Sequence, residues 1–283
     1  MADDVQRQLR AYVEYFRDLG VYDFYRRGEP GTAVWPESVA AVELERVSAP
    51  VDVVERTIAA VTRPVARSPV EGLGLKLVSF NDLAPLPEVR VAVEHRAEAL
   101  KGIQEEIGDC TRCPLAYAGR RKIVFGDGDP KARLMFVGEG PGADEDASGV
   151  PFVGKAGQLL NNMINAMGLK REEVYIANVV KCRPPANRVP EPVEANTCSQ
   201  FLLRQLDVVQ PQVVVALGST AASYLLGVKQ SLAGLRGRWH SCRGAKLAVT
   251  YHPAFLLRDP RQKGEAWKDL QMVMAELGLK AKA

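Results

Sequence analysis

Short, almost continuously apolar segments alternate with helical patterns through the C-terminal two thirds of the chain, and no other feature restricts its fold as strongly. The apolar segments lie at residues 133–137, 174–179, 213–217 and 246–250. The helical patterns lie at residues 157–167, 192–209, 219–226 and 264–277. Strands that are apolar on both faces must be covered on both faces, so the pattern predicts an α/β fold with a central, mainly parallel four-stranded sheet.

The polarity of such a sheet predicts where its chemistry lies. Ligands of open parallel sheets bind beyond the C-terminal ends of the strands. We therefore expect functional side chains just after Val137, near Asn178, just after Leu217 and just after Thr250.

The N-terminal third has a different pattern. Residues 4–19 have helical periodicity, whereas the stretch from about Gly28 to Pro87 is punctuated by prolines and keeps no period. This stretch predicts a linker with a short helix around residues 51–61. We therefore divide the chain into a helical and irregular N-terminal extension at residues 1–86 and a domain at residues 87–283. The sequence pattern assigns no function to the extension.

A second helix is predicted from about Pro87, in its first turn, to Ile107. Val93, Leu100, Ile103 and Ile107 recur on one side of it. This helix leads directly to the first cysteine of the chain.

The charge of the chain is unevenly distributed. The net charge of +3 combines −5 over residues 1–108 with +8 over residues 109–283, and the basic part suits a polyanionic partner. No run of eighteen uncharged apolar residues is present, so we expect no membrane span. The acidic N-terminus lacks the features of a secretory signal, and we expect a cytoplasmic protein whose thiols stay reduced.

Four of the five cysteines are spaced like ligands of one metal centre. Cys110 and Cys113 share a tight turn, and Cys182 and Cys198 follow after long gaps. A redox CxxC would lie at a strand-to-helix junction, but this one follows a predicted helix. Structural zinc usually takes its ligands in two close pairs, so four soft thiolates on separate elements suit an iron–sulfur cluster better. The remaining alternative is four unconnected buried thiols, as we expect for Cys242.

A glycine-rich turn follows the first predicted strand. Gly138, Gly140 and Gly142 let the backbone approach a ligand closely. The GxGxG spacing and the carboxylates at residues 144–146 argue against a dinucleotide, because carboxylates repel a pyrophosphate. They suit hydrogen bonding to a base, or the handling of a water or a developing cation.

Three further side chains lie near the predicted ligand-binding edge. Phe152 offers a stacking surface for a flat base, although a Phe in this position is also typical of a core. The Asn178 amide can pair with the O4/N3 edge of uracil, and a turn-forming Asn is the equal alternative. His252 can stabilise an oxygen that gains negative charge. Beyond it, Leu257 and Arg258 can wedge into a duplex and hold phosphates.

Taken together, the motifs at residues 138–142, 151–157, 178–185 and 252–258 closely resemble those of the family-4 uracil-DNA glycosylases. The similarity runs in one register from about Cys110 to about Leu277 and leaves residues 1–86 uncovered. It implies a three-layer α/β/α sandwich, a 4Fe–4S cluster on the four cysteines, and excision of uracil from DNA. It maps the uracil contacts onto Gly138, Glu139, Gly140, Asp144, Phe152, Asn178 and His252.

The resemblance leaves the water-activating base open. The wider superfamily places an Asp at the position of Gly140, so Glu139 and the carboxylates at residues 144–146 are the candidates. We assign catalysis to Glu139, Asn178 and His252. A sister group carries a basic Arg-Arg-Ile-His insert that crosslinks to the sugar, and its absence between Leu226 and His252 predicts ordinary turnover.

DNA is the expected partner, without a membrane or a nucleotide cofactor, and the protein is expected to be a monomer. The expected DNA contacts are Lys181, Arg183, Arg188, Leu257 and Arg258. Two other classes compete with this function. One is a non-catalytic iron–sulfur module that binds DNA or senses damage. The other is a nucleotide-binding oxidoreductase, which lacks its fingerprint here.

Overall fold

The computed structural model describes residues 79–281, which form a sheet between two layers of helices. The strands are β1 (Asp127–Gly128), β2 (Leu134–Gly138), β3 (Tyr175–Asn178), β4 (Val213–Leu217), β5 (His240–Cys242) and β6 (Ala245–Thr250). Their order in the sheet is β1-β3-β2-β4-β6-β5. The four predicted strands are the central ones and are mutually parallel, which confirms the predicted fold class.

The sheet described here has two more strands than predicted. At one edge β1 pairs with β3, and at the other β5 pairs with β6, both antiparallel. Each is only two or three residues long, too short to leave a period in the sequence. They extend the central sheet without altering the parallel register that positions the ligand-binding edge.

Nine helices accompany the strands within residues 79–281. They are α1 (Phe80–Leu83), α2 (Arg96–Ile107), α3 (Ala143–Ser148), α4 (Lys155–Ala166), α5 (Pro192–Val209), α6 (Gly218–Leu226), α7 (Leu232–Leu235), α8 (Pro253–Arg258) and α9 (Lys263–Leu277). Short 3₁₀ turns join them at Val93–His95, Pro114–Tyr117, Arg171–Glu173, Pro185–Asn187 and Pro260–Gln262. In this part of the chain no helix is long and apolar enough to cross a membrane.

Alternate side chains along each central strand belong to two hydrophobic cores, one on each face of the sheet. Met135 and Val137 of β2 pack with α2, α5 and α6, whereas Leu134 and Phe136 pack with α4 and α9. Successive side chains of a strand point to opposite faces, so an uninterrupted apolar strand supplies both layers at once. The arrangement is the expected α/β/α sandwich.

Helix α2 begins later than predicted. It starts at Arg96, and Val93 lies in the preceding 3₁₀ turn with its side chain exposed. Leu100, Ile103 and Ile107 are buried as expected. The prediction of a start near Pro87 is therefore wrong.

The helix predicted at residues 4–19 and the short helix around 51–61 lie outside the described residues, and the division of the chain at residue 87 stays a prediction. Phe80, on the N-terminal side of that division, is buried in the core. Asn81 binds the end of β5, because its amide donates to Ser241 O and its Oδ1 accepts from the Arg243 N–H.

Arg243 fastens this segment to the domain. Its buried guanidinium donates to the carbonyls of Phe80, Ala84 and Pro85 and forms a bidentate pair with Asp207 at 2.6 and 2.9 Å. A buried charge with this many acceptors is costly to remove, because its partner is left uncompensated.

We expect Arg243→Gln to lower the free energy of unfolding by about 3 kcal/mol, because it leaves the largely buried carboxylate of Asp207 without its positively charged partner. Urea titration followed by circular dichroism measures the change. Arg204→Gln is the matched control, because Arg204 pairs with Glu106 on an exposed surface. Exposed pairs contribute about 1 kcal/mol or less. Equal losses in the two variants would contradict the role given to Arg243.

Candidate active site

A cleft of about 620 Å³ opens at the C-terminal edge of the parallel strands. Its walls come from the segments that follow β2, β3, β4 and β6. Six of the seven residues predicted to contact uracil line it: Glu139, Gly140, Asp144, Phe152, Asn178 and His252. The seventh, Gly138, lies behind this wall.

Asn178 ends β3 and lies opposite Gly138 in the parallel register. Its side chain is 1% exposed, and its Oδ1 has no hydrogen-bond partner within the described residues. A buried amide oxygen without a partner is unfavourable by about 1–3 kcal/mol. The atom is therefore set to accept a hydrogen bond from something that enters the cleft.

Gly138 provides the space that Asn178 and Phe152 occupy. A Cβ on residue 138 would lie 2.4 Å from Asn178 Oδ1 and 2.6 Å from the Phe152 ring. Real Cβ atoms do not approach other atoms this closely, so a larger residue would displace both groups. Gly138 thus shapes the site from behind.

Phe152 presents its ring beside His252, with ring centroids 5.6 Å apart and an interplanar angle of 34°. The ring is buried, and the backbone of Phe152 has φ +52°. This left-handed conformation is uncommon for a bulky residue, so neighbouring contacts must hold it.

His252 is a neutral donor in this geometry. The N–H of Ala254 donates to Nδ1 at 3.1 Å, at the start of α8, which leaves the proton on Nε2. Burial lowers the pKa of His252 to about 4, and the nearby Arg258 acts in the same direction. Near neutral pH the ring can therefore donate from Nε2 without carrying a charge.

The carboxylates of the glycine turn have separate tasks. Glu145 accepts from the N–H groups of Gly142, Val153 and Gly154 at 3.0–3.1 Å, which ties the turn to the segment after Phe152. Asp146 is buried and accepts from the Arg121 N–H at 3.0 Å. Glu139 and Asp144 line the cleft and are thus the candidates left for handling water.

The four predicted ligand cysteines line one small pocket, at the junction of α2, β3 and α5. All five cysteines of the chain are free thiols, and Cys242 lies apart, buried in β5. As placed, no three His, Cys, Asp or Glu side chains of residues 79–281 stand in metal-binding geometry. The structure therefore brings the four cysteines together without a formed coordination sphere.

The chemistry of this pocket fits a thiolate-bound metal. The Arg120 guanidinium donates to Cys182 Sγ at 3.4 Å, and the Lys181 N–H donates to Cys198 Sγ at 3.3 Å. Burial raises the pKa of Cys198 to about 12, so a thiolate there needs positive charge beside it. Soft sulfur donors with N–H groups around them suit iron–sulfur clusters or zinc.

Lys181 is buried, so its side chain is not placed to contact DNA, which corrects the prediction. Its side chain is 1% exposed, and Nζ donates to Asn178 O at 2.9 Å and to Gln205 Oε1 at 2.6 Å. Burial lowers its pKa to about 8. A lysine two residues before Arg183 suggested a basic surface, but Lys181 continues the buried run that begins at β3.

The other predicted DNA contacts lie nearer the surface. Leu257 is exposed, and Arg258 lines the cleft. Arg183 Nε donates to Asn187, whereas Arg188 forms a bidentate pair with Glu194 at 2.7 and 2.8 Å. Arg188 reaches the cleft wall with its charge already paired.

Sequence reasoning did not assign several of the residues that line the cleft, among them Lys155, Val189 and Ser219. Ser219 had a usable signal, because it follows Leu217 at a predicted strand end. Lys155 begins α4, and Val189 is exposed beyond the turn at Pro185–Asn187. Neither position carries a pattern that distinguishes it from an ordinary surface residue.

Comparison with known proteins gives the class. The family model described as the Uracil DNA glycosylase superfamily matches residues 125–271, which include all six strands described above. The match covers about half of the chain and contains the whole cleft.

Curated relatives narrow this class. A type-4 uracil-DNA glycosylase of Thermotoga maritima is 46% identical over 58% of this chain and 86% of its own length. Those of Pyrobaculum aerophilum and Archaeoglobus fulgidus are 41% and 40% identical, over 61% and 62% of this chain and 92% of each relative. The chain therefore belongs to the type-4 uracil-DNA glycosylases, which confirms the predicted family.

We expect the His252 ring to remain neutral, with its proton on Nε2, from pH 8 down to about pH 5. Because its pKa is about 4 in the folded protein and about 6.5 when unfolded, protonation favours unfolding as the pH falls from about 6.5 to about 4. Nitrogen-detected NMR of the ring, assigned with His252→Gln, measures the titration. A midpoint near 6.5 would contradict a ring that its surroundings keep neutral.

Proposed function

We propose that this protein excises uracil from DNA by hydrolysing its N-glycosidic bond, which leaves an abasic site. The observation that carries the proposal is the partnerless Asn178 Oδ1, buried in a cleft beside an aromatic ring and a neutral histidine. The family membership of the chain supports the same activity.

Base recognition follows from the three side chains at the cleft. A uridine must leave the helix to reach them, which costs a few kcal/mol and is easiest for a mispaired base. The Phe152 ring covers one face of the flipped base, and Asn178 Oδ1 accepts from N3–H while its amide donates to O4. Cytosine presents the opposite order of donor and acceptor at these atoms, so Asn178 disfavours it.

Bond cleavage leaves a uracil anion and an oxocarbenium-like sugar. The Nε2–H of His252 donates to an oxygen of the departing anion, and one such donor contributes roughly 3 kcal/mol, or 10²–10³ in rate. A neutral donor keeps its own proton, so the base leaves as an anion. Glu139 and Asp144 position the water that attacks C1′ or stabilise the sugar cation.

DNA contacts follow the rim of the cleft. The basic half of the chain, with a net charge of +8 over residues 109–283, favours a phosphate backbone. Leu257 is exposed where it can enter the space left by the flipped base, and Arg183, Arg188 and Arg258 lie where they can approach phosphates. The described residues of a single chain form the walls of the cleft, which supports a protein that acts as a monomer. Hydrolysis of the N-glycosidic bond takes water as its second reactant, so the proposed reaction calls for no nucleotide cofactor.

We further propose that Cys110, Cys113, Cys182 and Cys198 hold a 4Fe–4S cluster. When bound, the cluster supplies metal–thiolate bonds that crosslink the turn after α2 to the segment between β3 and α5. The pocket of four free thiols with N–H donors supports this assignment. The role is structural, because the cysteines line a pocket separate from the cleft.

We place this activity in a domain at residues 87–283, preceded by the extension at residues 1–86. The family model matches residues 125–271, and the three type-4 relatives cover 58–62% of the chain. Phe80 is buried in the same core, so residues just before 87 also contribute packing to this domain.

Purified protein should produce alkali-labile sites in a uracil-containing oligonucleotide, and His252→Ala should slow single-turnover excision by roughly 10²–10³ because one anion donor is lost. Gel electrophoresis of the cleaved strand measures the rate, and fluorescence anisotropy measures DNA affinity, which should change little. His240→Ala is the control, since His240 lies in the edge strand β5. Intact strands at every enzyme ratio would favour the non-catalytic DNA-binding alternative.

The cluster should give the protein a brown colour, with a broad absorption near 400 nm and about four irons per chain. Cys198→Ser should lower the iron content and the absorption, because it removes one ligand. Cys242→Ser is the matched control and should keep both, since Cys242 lies outside the four-thiol pocket. Colourless protein with stoichiometric zinc would refute the iron–sulfur assignment.

A further inference from the structure

The strained conformation of Phe152 needs a source of restraint. A bulky residue at φ +52° costs of order 1–3 kcal/mol and persists only where surrounding contacts fix it. The ring of the same residue forms one wall of the cleft. Whatever holds this backbone therefore also sets the orientation of the stacking surface.

The side chain of Arg171 supplies the restraint. Its guanidinium donates to Pro151 O at 2.5 Å and to Phe152 O at 3.1 Å, so it grips two successive carbonyls. The same group donates to Asn161 Oδ1 at 3.0 Å and pairs with Asp127 at 3.3 Å. Only the planar fork of an arginine can satisfy acceptors in so many directions.

A second contact confines the peptide from the other side. Gly157, in the first turn of α4, lies so close to Phe152 that a Cβ there would be 1.9 Å from its carbonyl oxygen. The carbonyl is thus held between the helix backbone and the guanidinium. With Gly138 behind the ring, Phe152 has little freedom to turn away from His252.

We propose that Arg171 is a positioning residue for base recognition, an inference that rests on the proposed excision of uracil. Arg171 does not line the cleft and lies 19 residues from Phe152 in the sequence. It acts by holding the 151–152 carbonyls, which fixes the ring that stacks on the flipped base. Asp127, on the edge strand β1, orients the guanidinium in turn.

Arg171→Lys tests this role, because a lysine keeps the charge opposite Asp127 but cannot donate to both carbonyls and Asn161 at once. We expect single-turnover excision of uracil to slow on the order of 10-fold, within the range that misplacement of a reacting group can cost. Arg133→Lys is the matched control. Arg133 also donates to a carbonyl and an amide, on Leu277 and Gln212, but away from the cleft.

A double-variant cycle separates positioning from general stability. If Arg171 acts through the ring, Arg171→Lys slows excision in the wild-type background and adds no further loss to Phe152→Leu. Asp127→Asn should have a smaller effect than Arg171→Lys, since the carbonyl contacts remain. Equal fractional losses in both backgrounds would overturn the proposal, as would an unchanged rate in Arg171→Lys.

A spectroscopic measurement tests the position of the Phe152 ring without relying on the rate of excision. In protein labelled with 4-fluorophenylalanine, the resonance that Phe152→Leu deletes should shift in Arg171→Lys and stay fixed in Arg133→Lys. Asn161→Ala, which removes one acceptor of the guanidinium, should shift the same resonance if Arg171→Lys fails to fold. A fixed resonance in both overturns the positioning role. Wild-type protein that leaves uracil in place would instead refute the proposed function itself.

Discussion

The parallel register of the central strands decides which side chains meet in this protein. Gly138 lies opposite Asn178, and Leu217 lies opposite Thr250, so the segments that follow these strands leave the sheet at one edge. Backbone hydrogen bonds set this register, and a shift by one residue would turn every side chain to the other face. The glycine turn, the amide and the histidine are gathered by the sheet before any of them contacts another.

Burial then gives these groups their chemistry. The interior that hides Asn178 Oδ1 from water also holds His252 neutral, so the cleft offers an acceptor and an uncharged donor. The carboxylates also differ, because Glu145 lines the cleft but is occupied by backbone N–H groups, which leaves Glu139 and Asp144 as the candidates for handling water. Position in the fold, more than residue type, decides whether a carboxylate has a structural role or is available for the reaction.

The sequence predicted most of the fold because its signals are local. Continuous apolar runs defined the four central strands, and helical periodicity with Pro192 at the first turn placed α5 within its true bounds. The edge strands β1 and β5 were not predicted because segments of two or three residues are too short to show a period of two. The predicted start of helix α2 was too early because Pro87 resembles a first-turn proline, whereas the chain first becomes helical near Val93.

Site prediction failed where the answer depends on distant partners. Lys181 is polar by type but is buried by contacts to Asn178 and Gln205, which no local pattern reveals. Arg171 sits in a 3₁₀ turn and acts on carbonyls far away in the sequence. The cleft residues themselves could be named, since they follow strands whose ends the topology brings together.

The segment just before residue 87 also bears on how the domain can be cut from its chain. Asn81 binds the backbone of Ser241 and Arg243, so residues 79–85 cover the end of the edge strand β5. Uncovered edge strands recruit other strands and promote aggregation. A shortened protein that begins at residue 87 would leave this edge open and empty the site of Phe80, so a minimal version of the domain should begin at Ser79 or earlier.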